Sequence, residues 1–489
     1  MSKKRQTNVP VITAMVFIAT FMAAIEGTIV STAMPTILGA LHGVSLMNWV
    51  FTTYLLTSAM ATPIYGKMAD RIGRKPVLLV GLAIFVLGSL LSGLSQSMLE
   101  LIIFRAIQGI GAGAIMPVTF TIIADMYPIE KRARVLGFNG SAWGIASVTA
   151  PLIGGFIVDR LSWHWVFIIN VPIGVITMLL TQFYMHENFV KTDKPVDILG
   201  TIYLALTLLF LLMGFQMLDS AHGPLLFALL LVLTAGMLAL FVRQEGRAQD
   251  PIISLKLFKS RTFTIQNVMA ALVSGVVMGH EVYIPMWMQG ILGLSASLGG
   301  FAVTPSSLMW IVGSFIAGRM IVNMVPRRVL SIALLIILVG IVAIVLLPQT
   351  TPYVAFLAVS AVLGTGFGIS ITTTTVTSQA AVEKDQVGVA TSVNTLSRTL
   401  GQTIMVAIFG IIFNMRVAAG TGAHPGLNAN MMNKLVNPQT ATQLAPAVLK
   451  PLRTVLFSAL HTVYVASAIV VVLAIVINLF DRKQKQSAD

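Results

Sequence analysis

The chain has 489 residues, of which 56% are apolar and only 10% charged, against a charged share of roughly 25% in soluble domains. That balance excludes a soluble enzyme or binding domain, and the net charge of +14 reads as a membrane-topology signal rather than a nucleic-acid footprint. With no cysteine and seven scattered histidines, the chain has no disulfides, no thiol chemistry and no metal-ligand spacing.

Apolar stretches of about 20 residues, the length a helix needs to cross the hydrocarbon, occur fourteen times. The first, 10–34, follows Lys3, Lys4 and Arg5 as a signal peptide would, but it is too long for one and carries Glu26, so it is expected to be retained. Segments 48–66, 76–95, 99–123, 135–157 and 164–185 complete a first set of six. The pair 198–218 and 223–242 holds no strong ionisable group in its apolar part and reads as a peripheral, lipid-facing insertion. A linker from Arg243 to Arg261 carries Pro251 and five basic residues. Segments 263–288, 298–321, 329–347, 352–376, 388–414 and 455–480 form a second set. Between Met415 and Arg453 lies a stretch rich in Asn, Gly, Pro and Thr, read as an external loop with room for a surface helix.

An even number of spans puts both ends on one side, and the excess of Lys and Arg names that side as the cytoplasm. Of the 31 basic residues, five fall outside (Arg160, Arg416, Lys434, Lys450, Arg453) and two, Arg105 and Arg398, lie within spans. The expected organisation is all-α: a bundle over 1–185, an inserted pair with its linker over 186–262, and a second bundle over 263–489 containing the external loop 415–453.

The two sets repeat one another. GKMADRIGRK at 66–75 returns in degraded form as GRMIVNMVPR at 318–327, an offset of 252. Gly109, Gly111 and Gly113 match Gly364, Gly366 and Gly368 at an offset of 255, and Gly88 matches Gly340 at 252. Duplicated six-helix bundles with a binding region near the midplane between them are a recurrent transporter design.

In the 66–75 turn the glycines permit a tight turn and close helix approach, and Asp70 is suited to a helix N-terminus or an arginine. The turn resembles motif A of the major facilitator superfamily, with every defined position filled by Gly66, Asp70, Arg71, Gly73, Arg74 and Lys75. The resemblance implies a latch on the cytoplasmic side. Val322 replaces the aspartate in the second copy, so a weakened or absent latch is expected there. Asp125, at the end of the fourth span, is placed to bridge to Arg71 or Arg74 as a surface gate.

The fifth span resembles motif C, the antiporter-linked pattern, through Gly144, Pro151, Gly154 and Gly155. Its small residues four apart allow close packing, and its proline favours a bend. The matching stretch of the second half lacks the proline and carries Arg398. The fourth span resembles motif B, with Arg105 followed by Gln108 and Gly109. An arginine within a bilayer is costly and marks a functional route; too basic to release its proton readily, Arg105 is expected to position a carboxylate.

Glu26, within AAIEGTIVSTAMP, is the candidate. That segment resembles the first-span motif of fourteen-span drug:proton antiporters, with Glu in place of the usual Asp. Ala19, Ala23, Gly27 and Ser31 form a small-residue stripe for packing, which would leave Glu26 facing a central cavity. A carboxyl held where water is scarce is suited to proton exchange near neutral pH, and the competing reading is a structural pair with Arg105 that never titrates. In the second half His280 and Glu281 stand beside Tyr283, Met286, Trp287 and Met288, a polarizable wall. Glu281 reads either as a second proton or substrate site or as a hydrated group at the outer mouth; His280 reads as a hydrogen-bonded neighbour or a relay.

No phosphate-binding loop or dinucleotide fingerprint is present, so no cofactor is expected and an ion gradient is the energy source. Over the whole chain the resemblance is to the EmrB/QacA branch of the drug:proton antiporters. It implies a monomeric, non-enzymatic, multi-pass protein of the bacterial plasma membrane that exports amphipathic, often cationic, compounds in exchange for protons. Export of an endogenous lipid, amino acid or metabolite by the same machinery is the alternative, and a membrane sensor or integral membrane enzyme a distant one.

Overall fold

In a computed structural model, residues 7–127, 129–187, 197–217, 223–248, 251, 253, 255–382, 387–424 and 426–481 are described. Within the helices the side-chain environments of some positions, Asp70, Arg71 and Gly144 among them, lie outside the described residues.

Among the described residues, each of the fourteen apolar segments falls on helix, with breaks near 169 and 302–303. The N-terminal group comprises α1 (Val9–Leu41), α2 (Met47–Ile72), α3 (Arg74–Leu94), α4 (Met98–Met126), α5 (Ile129–Arg160), the short α6 (Trp165–Ile168) and α7 (Asn170–Tyr184). The insertion is α8 (Ile198–Met217) and α9 (Gly223–Glu245). The C-terminal group comprises α10 (Arg261–Met286), α11 (Ala296–Phe301), α12 (Thr304–Asn323), α13 (Pro326–Leu346), α14 (Tyr353–Ala380), α15 (Val387–Gly422), α16 (Ala429–Val436), α17 (Pro438–Ala441) and α18 (Pro446–Asn478). Among the described residues, 11 helices are long and apolar enough to cross a membrane. Helices α2 and α5, of 26 and 32 residues, match them in length but fall outside that set.

The repeated glycines do the same work twice. A Cβ on Gly109 or Gly113 of α4 would strike α2 at Tyr54 or Ser58, whereas one on Gly111 would strike α3 at Gly81 and Phe85. In the second copy, Gly364 and Gly368 of α14 abut α12 at Ser306 and Trp310, and Gly366 abuts α13 at Ala333 and Ile337. Gly88 meets Gln108 and Gly340 meets Leu363, and these two partners are again 255 positions apart. In lipid, where apolar burial does not favour helix over lipid contact, such backbone approaches supply the packing that holds a bundle together.

Hydrogen bonds between the two groups, among the described residues, all lie at the end away from the 66–75 turn. Gln289 donates to the Thr32 carbonyl (3.1 Å), Tyr283 to Asn48 Oδ1 (3.1 Å), the Val44 N–H to Asn433 Oδ1 (3.0 Å) and Asn414 to the Ser45 carbonyl (2.9 Å). Asp159 at the end of α5 accepts the Ala296 and Ser297 N–H groups and the Ser297 hydroxyl at the start of α11. The molecule is therefore closed at this far end.

Two expectations are corrected. The stretch read as an external loop from Met415 is helical to Gly422 and again from Pro446, and its α16 is not a surface helix: Met432, Leu435 and Val436 are fully buried between α1 and α18. The apolar side of this short amphipathic helix has the seam between the groups to fill, and Asn433 fixes it there. The inserted pair is also less peripheral than expected, since α8 packs against both α2 and α15.

Candidate functional site

Five helices of the N-terminal group converge on one buried polar cluster. Glu26 of α1 is 0% exposed and forms an ion pair with Arg105 of α4, itself 1% exposed. Its other oxygen accepts from Asn170 Nδ2 of α7. Arg105 also donates to Gln108 Oε1 (2.8 Å) and to the Val50 carbonyl (3.3 Å). Ser89 of α3 accepts from Gln108 and Asn170, each at 3.0 Å, and donates to the Phe167 carbonyl. The Arg105 guanidinium lies 4.0 Å from the ring centroid of Tyr54 of α2, where a cation is favoured by the ring face.

This arrangement differs from the sequence expectation. Glu26 does not face open space; it is drawn into the interior of its own group, where α4 and α7 supply the opposite charge and the amide that a buried carboxylate needs. Gly27 of the small-residue stripe has nothing within 4 Å of a Cβ position, so α1 makes no backbone approach there. Sequence reasoning missed Asn170 and Ser89, because short polar side chains are ordinary in spans and nothing marks them until the fold brings them to a charge.

At the turn end, Gly73 has φ +103°, a conformation that favours glycine. The N–H groups of Arg74 and Lys75 that follow it open α3 and are both accepted by Glu187 (2.9 and 3.1 Å). Arg74 Nε lies 2.9 Å from Asp125, one of the two bridges expected for that aspartate. Lys75 Nζ donates to the carbonyls of Gln182 and Met185, satisfying the end of α7. Gly66 has open space around it; Asp70 and Arg71 lie outside the described side chains. Nothing in the sequence marks Glu187, which follows an apolar span like any loop residue.

The second half does have a tie at this end, though not on the motif. Val322 is 82% exposed, while Asp481, just past α18, accepts from Thr262 (2.9 Å) and Gln266 (2.8 Å) at the start of α10. In the first half, Thr7 before α1 exchanges hydrogen bonds with His186 past α7. Thr7 and Thr262 are again 255 positions apart, so the duplicated tie persists with different chemistry.

In α5, Gly154 packs against Ile29 of α1 and Gly155 against Ser297 of α11, while the Pro151 carbonyl meets Gly300. The motif C residues thus join α5 to its own group on one side and to the C-terminal group on the other. His280 is buried, with its ring 3.3 Å from Ser360 and tilted against Phe367. Glu281 is half-buried and, among the described residues, has no hydrogen bond or ion pair. Arg398 is half-buried with its Nε unpartnered. Successive α10–α15 contacts, Ala271 with Gly401 and Gly279 with Phe409, set Glu281 and Arg398 roughly 20 Å apart along the helices at about 1.5 Å per residue. The structure does not bring them together. Among the described residues no cluster of metal-ligating side chains occurs.

Residues 16–406 match the Major Facilitator Superfamily. This chain belongs to the major facilitator superfamily. As members of that superfamily are, it is a multi-pass membrane transporter. It is 33% identical to the multidrug transporter protein MdtP of Bacillus subtilis (strain 168), over 100% of this chain and 96% of that protein. It is 31% identical to the multidrug efflux pump SdrM of Staphylococcus aureus (strain N315), over 84% of this chain and 91% of that protein. In fold it is similar to a bacterial homolog of the human lysosomal transporter Spinster in an inward-facing and occupied conformation, with TM-score 0.68, 16% identity and coverage of 96% and 95%. A D-xylose-proton symporter gives TM-score 0.65 at 13% identity, covering 98% and 99%.

Proposed function

We propose that this major facilitator transporter is a fourteen-span drug:proton antiporter of the EmrB/QacA type, exporting amphipathic compounds across the bacterial plasma membrane with both termini in the cytoplasm. The far end is then the outer face and the 66–75 turn the inner latch. The observation that carries the reading is the fully buried Glu26–Arg105 pair with Asn170, Gln108 and Ser89 around it; relatives named for multidrug transport support the cargo class.

The cluster is built to hold Glu26 in either charge state. As carboxylate it is matched by Arg105 and Asn170. When a proton from the outer side neutralises it, Arg105 keeps the Gln108 amide oxygen and the Val50 carbonyl as acceptors, so the cation is not stranded. Protonation thus changes the centre of the N-terminal group from net zero to net positive, and that change biases the two groups between inward- and outward-open arrangements. Only differential interaction with the two states can drive the cycle.

The test is transport in proteoliposomes under an imposed pH gradient, with a panel of lipophilic cations, zwitterions and lipids. Glu26→Gln should abolish gradient-driven export and spare folding. Proton-coupled efflux that survives this substitution removes Glu26 from the mechanism, and preference for lipids over drugs reassigns the cargo.

A further inference from the structure

Nothing in the duplicated plan requires α8 and α9. Leu204 and Leu208 of α8 and Phe241 of α9 share an apolar cluster with Leu56 of α2 and with Val393 and Ala407 of α15. Helices α2 and α15 belong to different groups and touch one another, so α8 lies as a second layer over the seam where the groups meet. On the opposite side, α5 meets α11 and α12, and among the described residues no inserted helix packs on that pair as α8 does on α2 and α15. There the close contacts, Gly155 and Asp159 with Ser297, sit at the far end. Ile145 of α5 is 47% exposed and Phe315 of α12 is 74% exposed. The two lateral seams of a pseudo-symmetric molecule are thus unlike: one covered, one bare.

We infer that the inserted pair seals the α2–α15 seam against the bilayer, and that membrane-dissolved amphipathic cargo enters sideways through the α5–α12 seam alone. This deepens the export reading above and rests on it. Amphipathic molecules concentrate in the inner leaflet, and when two bundles rock apart at that side their seams are where lipid meets the central path. Because α8 holds apolar contacts with both α2 and α15, any parting of those helices leaves its leucines bridging the gap, while α5 and α12 part with no inserted helix behind them.

The chain has no cysteine, so single introduced thiols report cleanly. In reconstituted full-length protein, a bulky membrane-dissolved maleimide on Ile145→Cys should cut transport of a lipophilic dye at least tenfold while leaving a water-soluble cation largely unaffected. Met60→Cys, on α2 beneath the inserted pair, should resist the reagent. Adding Leu204→Gly and Leu208→Gly to the labelled Ile145→Cys protein should restore dye transport through the second seam. Dye transport unchanged by the Ile145→Cys label, or ready labelling at Met60→Cys with loss of dye transport, overturns the inference while leaving export intact. Failure of the unlabelled protein to move either compound sinks the export reading, and this one with it.

Discussion

Gly155 of α5 lies so close to Ser297 of α11 that a Cβ added to it would sit 2.2 Å from the Ser297 Cα. The contact joins the two groups at the far end, and backbone atoms, unlike a flexible side chain, cannot give way. Gly155→Val should therefore fold, because the clash is relieved by separating the groups there, yet favour the arrangement open at that end. Transport should fall at least tenfold. The check is a Thr32→Cys reporter, buried in the closed form: its rate of reaction with a membrane-impermeant maleimide should rise in the Gly155→Val background.

Asp159 makes the same closure by charge. Its carboxylate accepts the Ala296 and Ser297 N–H groups at the start of α11, where an anion also meets the positive end of the helix dipole. Asp159→Asn keeps the shape but loses charge-assisted bonds, at an expected cost of about 1 kcal/mol to the closed form. Reporter labelling should rise several-fold, less than for Gly155→Val, with transport reduced but measurable.

Glu187 predicts a stability effect rather than a transport one. It holds two N–H groups at the start of α3 while Arg74 lies beside it and Asp125. Glu187→Ala should cost about 1 to 2 kcal/mol, the range for loss of a helix N-cap, and lower the melting temperature in detergent. Glu187→Gln should recover part of that loss.

What was legible beforehand, and what was not, follows from how each residue acts. The fourteen apolar segments and the glycine repeat show in the sequence because lipid and close helix approach impose their patterns on composition. Glu26 and Arg105 stand out because charge is rare in spans, but their pairing was only one of two readings, since helix facing is set by neighbours that sequence does not order. Asn170, Glu187 and Asp481 each act through a single side chain and leave no periodic trace. The burial of α16 was hidden for a different reason: an eight-residue amphipathic helix reads alike whether its apolar side lies on a surface or in a seam.

The Glu26–Arg105 pair makes a prediction with an internal control. Removing one member of a buried pair strands the other, at about 3 to 5 kcal/mol. Arg105→Gln should therefore destabilise the protein strongly, and Glu26→Gln less, because Gln108 and the Val50 carbonyl still serve the arginine. The double variant should be more stable than Arg105→Gln alone while remaining inactive. Thermal melts of the three proteins check it; a double variant whose loss equals the sum of the two single losses would show that the two side chains are not coupled.

Adjacent in sequence, His280 and Glu281 should separate by phenotype. Successive residues of a helix point about 100° apart, and here that turns His280 into the packed interior against Ser360 and Phe367 while Glu281 stays half-buried and unpaired. Replacing His280 with Ala opens space beside Phe367 and leaves Ser360 without its partner, so the cost should appear as stability, about 1 to 3 kcal/mol, with transport per folded molecule largely kept. Glu281→Gln breaks no contact and should leave the melting temperature unchanged. Its effect should appear in transport, as a several-fold loss for cationic cargo with neutral cargo spared, because an unpaired acid within the protein interior has only a mobile cation or a proton to answer it. Equal loss for charged and neutral cargo would make Glu281 a general part of proton coupling, and no loss for either would place it outside the transport path.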